Sequence, residues 1–143
     1  MQKAHVFSEY GSYHRDPRNR ACHFVGIPLI VMGLLGLFSQ VHLGPVDLGI
    51  VLGVATLLFY ASFDLSGAAI STVSFALLYL VAIRLNWQLD VAAFVLGWVF
   101  QLVGHKFEGN KPKFLDNLLY LLIGPLYVFE EAVASALRSN RAA

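Results

Sequence analysis

The stretch Ala21–Phe38, ACHFVGIPLIVMGLLGLF, runs eighteen residues with no formal charge and one titratable imidazole, that of His23. Crossing the hydrocarbon core of a bilayer as a helix takes about 20 mainly apolar residues, within a range of roughly 17–25. The stretch therefore reads as a membrane span. Further along the chain the same pattern returns: Leu43–Phe63, broken only by Asp47, then Gly67–Ile83, then Val91–Gly104, which continues as a helix toward His105 and Glu108. The alternation of a membrane β-barrel is missing, and long runs of Leu, Val and Phe favour helices whose backbone groups are satisfied within each span. Glycines inside these blocks (Gly33, Gly36, Gly49, Gly53 and Gly97) permit close helix approach. The expectation is an all-α integral membrane bundle of four transmembrane helices, in a single domain covering residues 1–143.

Two segments lie outside that bundle. Before the first span, Ala4–His14 reads as a short N-terminal helix ended by Asp16-Pro17. Aspartate followed by proline is an N-cap and first-turn signal, so a new helix is expected from Pro17. After the fourth span, Phe114–Phe129 is apolar but carries Asp116 and Asn117 and is interrupted by Gly124-Pro125. It reads as a kinked re-entrant or interfacial helical segment, followed by a polar helical tail with Glu130, Glu131, Arg138 and Arg141.

Composition agrees with a membrane class. Hydrophobic residues make up 57% and charged residues 13%, against about 25% charged in an average soluble domain. The net charge of +1 gives no basic surface for nucleic acid. Cys22 is the single cysteine, so no intrachain disulfide is expected. The first twenty residues contain no apolar core followed by a small-residue cleavage site, so no cleavable signal peptide is expected. Lys3, Arg15, Arg18 and Arg20 precede the first span, and Lys106, Lys111 and Lys113 follow the fourth. Cytoplasmic flanks are enriched in Lys and Arg, which predicts both termini on the cytoplasmic side with Arg84 opposite. A bacterial inner membrane or the endoplasmic reticulum would suit this topology.

Few residues remain for chemistry. His14 and His23 flank the start of the first span, and His105 closes the fourth. The predicted topology puts all three at one level of the membrane, with the break at Asp16-Pro17 letting His14 and His23 face one point. Gln101, His105 and Glu108 share a helix face by their spacing of four and three. Imidazole is the commonest metal ligand, and histidines with a carboxylate and open positions suit non-haem iron that activates oxygen. His14, His23 and His105 are the expected metal ligands. Glu108, Asn19, Glu131 and Asp116 are the expected catalytic or supporting residues. Metal binding needs neutral imidazoles, so affinity is expected to fall below about pH 6.5, the ordinary histidine pKa. His5 and His42 read as ordinary interfacial side chains.

The stretches Tyr13–Pro28, YHRDPRNRACHFVGIP, and Gln101–Glu108, QLVGHKFE, resemble the family of small membrane proteins typified by the yeast 2-hydroxy fatty acid dioxygenase. The run Lys111–Leu118, KPKFLDNL, and Gly124–Glu131, GPLYVFEE, resemble that family's C-terminal pattern, so the similarity spans nearly the whole chain. The resemblance implies an Fe(II) enzyme of fatty acid α-oxidation, serving phytosphingosine degradation. Such an enzyme uses molecular oxygen to shorten a 2-hydroxy fatty acid by one carbon, and the family's motif histidines fall on His14, His23 and His105. A 2-hydroxy acid can chelate iron through carboxylate and hydroxyl, with its tail between helices or toward lipid. The alternative is a small transporter or metal permease using Asp47 and Asp64, although both lie near span ends. Five histidines are too few for a di-iron membrane desaturase.

Overall fold

A computed structural model describes Met1–Ala143, and it is helical almost throughout. The helices are α1 (Lys3–Ser12), α2 (Pro17–Ser39), α3 (Leu48–Ala61), α4 (Leu65–Ala82), α5 (Trp87–Glu108) and α6 (Tyr120–Ala142). A two-residue-per-strand hairpin, β1 (His42–Leu43) and β2 (Val46–Asp47), joins α2 to α3. A single 3₁₀ turn, Lys113–Leu115, precedes α6. By length and composition α2, α4, α5 and α6 are long and apolar enough to cross a membrane.

Capping residues set where these helices begin. Asp16 accepts from the Arg18 backbone N–H at 2.8 Å, with Pro17 in the first turn, so the expected restart is where α2 begins. Asp47, Asp64 and Asn86 cap α3, α4 and α5 in the same way. At the far end of α5, Gly109 ends the helix in the left-handed region at φ 75°, where a residue without Cβ is favoured.

Two elements differ from their sequence-based bounds. The block Leu43–Phe63 does not run as one helix, because Gly44, at φ 70°, turns the chain into the hairpin before α3 begins at Leu48. The resulting α3 is 14 residues long, about 21 Å at the helical rise and shorter than the roughly 30 Å hydrocarbon core. Conversely, α6 starts later than Phe114 and then continues unbroken through Pro125 to Ala142.

The helices α2 and α5 form the central pair, and glycines bring them together. A Cβ on Gly26 would lie 2.7 Å from the Gly97 carbonyl oxygen, and one on Gly97 would lie 2.6 Å from the Gly26 carbonyl oxygen. A Cβ on Gly104 would reach the Asn19 Oδ1 at 2.5 Å. No other side chain fits at these crossings, so the start of α2 lies against the end of α5. That contact sets His23 level with His105. The helix α6 covers the same end: Tyr60 donates its hydroxyl to the Leu122 carbonyl, and Lys3 pairs with Asp64 and with Glu130, both at 2.7 Å. Ile123 and Leu126 on its inner face are fully buried. Elsewhere the bundle presents large apolar side chains outward, Leu58, Leu65, Val73 and Leu77 among them, as a lipid-facing surface requires.

Candidate metal centre

His14 sits in the turn after α1, His23 in the second turn of α2 and His105 in the last turn of α5. The structure brings them together. Their ligand-capable nitrogens all lie within 4.8 Å of one another, and all three side chains are buried. Ring centroids are 4.3 Å apart for His14 and His23, 5.0 Å for His14 and His105, and 4.9 Å for His23 and His105.

Each ring is held by its outer nitrogen. His14 Nδ1 donates to the Tyr10 carbonyl at 2.7 Å, His23 Nδ1 to the Asn19 carbonyl at 2.9 Å and His105 Nδ1 to Asn110 Oδ1 at 3.0 Å. Carbonyl oxygens only accept, so each Nδ1 carries the proton and each Nε2 keeps a lone pair for a metal. His14 Nε2 and His23 Nε2 then face each other at 3.0 Å. Two lone pairs at that separation repel unless a cation lies beside both. Imidazoles bound at right angles to a metal at ~2.1 Å would stand about 3.0 Å apart, so the donor set fits a divalent ion. Burial lowers the His14 pKa to about 4, which keeps this imidazole neutral well below the expected pH 6.5.

The other expected residues fall into two groups. Glu108 accepts from the backbone N–H of Arg15 at 3.0 Å and of Asp16 at 2.7 Å, and from Asn19 Nδ2 at 3.1 Å. Its carboxylate is used in fastening the turn that carries His14 to the helix that carries His105. Asn19 adds a bond from Nδ2 to the Tyr13 carbonyl at 3.2 Å while its own carbonyl orients His23. Both stand directly behind the imidazoles. Glu131 instead pairs with Arg20 at 3.1 Å and Arg138 at 2.7 Å, and Asp116 takes the Tyr13 hydroxyl and the Lys111 ammonium. The structure does not bring these two into the histidine cluster.

Several neighbours were not anticipated. Tyr10 stacks on the His14 ring with centroids 4.1 Å apart. Asn110 orients His105, and the signal for it is its place directly after Gly109, which turns the chain back over the helix end. A chamber of about 60 Å³ opens from the imidazoles, bounded by Tyr10, Trp98, Gln101, Lys113 and Tyr120. Gln101 Nε2 is buried against Gly26 without a hydrogen-bond partner. Lys113 is anchored by Glu9 at 2.6 Å, a pairing that raises the lysine pKa and lowers that of Glu9.

A buried trio of neutral imidazoles inside an apolar helical bundle defines a membrane protein with a candidate metal centre. The family model described as "2-hydroxy-palmitic acid dioxygenase Mpo1-like" matches residues 2–137, and the chain belongs to that family. It is 30% identical over 129 residues to the 2-hydroxy-palmitic acid dioxygenase MPO1 of Saccharomyces cerevisiae, covering 85% of this chain and 74% of the relative. No solved structure matches the chain.

Proposed function

We propose that this protein is an Fe(II)-dependent dioxygenase that shortens a long-chain 2-hydroxy fatty acid by one carbon, with its centre and both termini on the cytoplasmic face. The observation that carries the reading is the trio His14, His23 and His105, whose Nε2 lone pairs converge beside an apolar interior. Family membership and the named activity of the yeast relative support the substrate class. Iron bound by the three imidazoles would supply a Lewis acid for the substrate's oxygens and the means to activate dioxygen.

The protein's own residues contribute position and exclusion. Hydrogen bonds from each Nδ1 lock the imidazole orientations before substrate arrives. Lys113 lines the chamber, and its ammonium is a donor suited to a carboxylate. Trp98 and Tyr10 supply aromatic walls to the chamber. In the reaction the bond between C1 and C2 breaks, C2 becomes the carboxyl carbon of the shortened acid, and C1 leaves as carbon dioxide. The four electrons lost by the substrate reduce the dioxygen, the remaining product is one water, and no further reductant is needed.

Anaerobically purified protein, loaded with Fe(II) and then given oxygen, should convert a long-chain 2-hydroxy acid to the acid one carbon shorter, as read by mass spectrometry. The unhydroxylated acid, lacking one chelating oxygen, should not react. Alanine at His14, His23 or His105 should abolish bound iron while His5→Ala and His42→Ala retain it. Equal iron in all five variants, or equal turnover of both acids, refutes the reading.

A further inference from the structure

Beside the histidine chamber lies a second, much larger space. It is a partly open apolar cavity of about 580 Å³ lined by α2, α3, α5, the start of α6 and Phe75 of α4. Ile30, Val31, Trp98, Leu121 and Pro125 are walls of both spaces. The cavity then follows α2 outward to Phe38 and α3 back to Leu52 and Gly53. The two spaces thus adjoin along these five side chains, with three imidazoles at one end and apolar side chains at the other.

We infer that this cavity receives the acyl tail of the substrate and that the α3 face bearing Gly53 and Thr56 sets how long that tail can be. The inference rests on the proposed activity for the identity of the occupant. Its geometry stands on the five walls shared with the chamber. From His23 to Phe38 the α2 axis advances about 22 Å at the helical rise of ~1.5 Å per residue. An extended hydrocarbon chain advances about 1.3 Å per carbon, the projection of its ~1.5 Å bonds. The interior therefore matches an acid of about 17 carbons, head group included.

The discrimination is steric. Lipid tails are as apolar as the cavity walls, so a methylene moving from bilayer to cavity gains little. Length is selected only where a wall stops the chain. At Gly53 a Cβ would meet Leu35 at 3.7 Å and Phe75 at 3.9 Å, ordinary van der Waals contacts. A larger side chain there fits the helix and projects into the cavity. Thr56 lines the same cavity one turn nearer the chamber. Leucine at either position keeps or improves helix propensity, so both variants should fold.

The test is binding to the metal-free protein in bilayer nanodiscs, which requires no turnover. Fatty acids of graded length, brominated near the chain end, are titrated against Trp98 fluorescence in a Trp87→Phe background. The parent protein should bind acids up to about 17 carbons with equal affinity per mole fraction of lipid. Gly53→Leu should weaken the longest acids at least tenfold and leave medium-length acids unchanged. Thr56→Leu should move that cutoff to shorter acids, because its block lies nearer the imidazoles. One length profile shared by all three proteins would overturn the inference. Ordered cutoffs in a protein that never turns over a 2-hydroxy acid would keep the channel and remove the dioxygenase reading. Turnover with identical length profiles would do the reverse.

Discussion

At the scale of single residues, the centre depends as much on what holds the imidazoles as on the imidazoles. Asn110 touches His105 only through Nδ1, so its removal leaves the ligand set intact while freeing one ring to rotate. Partners of this kind typically contribute 10–100-fold to metal affinity. Asn110→Ala should lower iron affinity by about that factor, measured by competition with a chelator, with little change in helicity. His14 adds a pH signature. Burial lowers its pKa to about 4 from the ordinary ~6.5, so its contribution to stability is complete above pH 6.5. As pH falls from 6.5 toward 4 the unfolded chain takes up a proton that the folded chain refuses, and stability declines. The metal-free protein should lose stability across that window, and His14→Gln should flatten the decline. An NMR titration placing the His14 midpoint near 6.5 would refute the buried, neutral imidazole.

At the scale of elements, the decisive contact is α2 against α5. Gly26 and Gly97 leave room for each other's carbonyl oxygen and for nothing else. Gly97→Ala must push the helices apart, since the obstacle is backbone, and overpacking of this kind costs about 1–3 kcal/mol. His23 and His105 ride on the two separated helices. Iron affinity should therefore fall together with thermal stability, and unchanged values for both would refute the close crossing. The sequence makes part of this visible. Asp16-Pro17 marks where α2 begins because capping is local chemistry, and the apolar blocks mark the long helices because lipid demands them. Gly97 is legible as a small interfacial residue, but its partner is not, since the pairing depends on how two helices cross. The hairpin before α3 escapes notice because Val41, Leu43 and Val46 continue the apolar run around Gly44-Pro45. Continuity of α6 through Pro125 is likewise tertiary. Tyr120, Ile123, Leu126, Val128 and Phe129 of α6 are all buried, and that packing outweighs a proline cost of about 3 kcal/mol. Among the candidate site residues, the three histidines were legible from their shared level. Asn110 and Tyr10 were not, because only the folded turns around them bring their oxygens to the rings.

At the scale of the whole molecule, charge collects at the end that carries the centre. Lys3 links α1 to Asp64, the cap of α4, and to Glu130 of α6, while Arg20 at the start of α2 pairs with Glu131. Lys113, after α5, pairs with Glu9 of α1. The opposite end offers the hairpin and Arg84. By length and composition α6 qualifies to cross a bilayer, yet Glu130 finds its partner on α1 and Glu131 finds one at the start of α2. A crossing would carry those carboxylates away from Lys3 and Arg20 or draw α1 into the hydrocarbon, and a charged side chain at the bilayer centre costs at least ~2.5–3.5 kcal/mol. The expected arrangement keeps α6 at the face where α1 lies, both termini on that side and the hairpin on the other. Single cysteines replacing the exposed residues Gln2, Gln40 and Ser139, in a Cys22→Ala background, test this with an impermeant maleimide on sealed vesicles of known orientation. Gln2→Cys and Ser139→Cys should label from one side and Gln40→Cys from the other. Labelling of Ser139→Cys together with Gln40→Cys would mean that α6 crosses, and the ion pairs of Glu130 and Glu131 could not then hold the end of the bundle where the histidines meet.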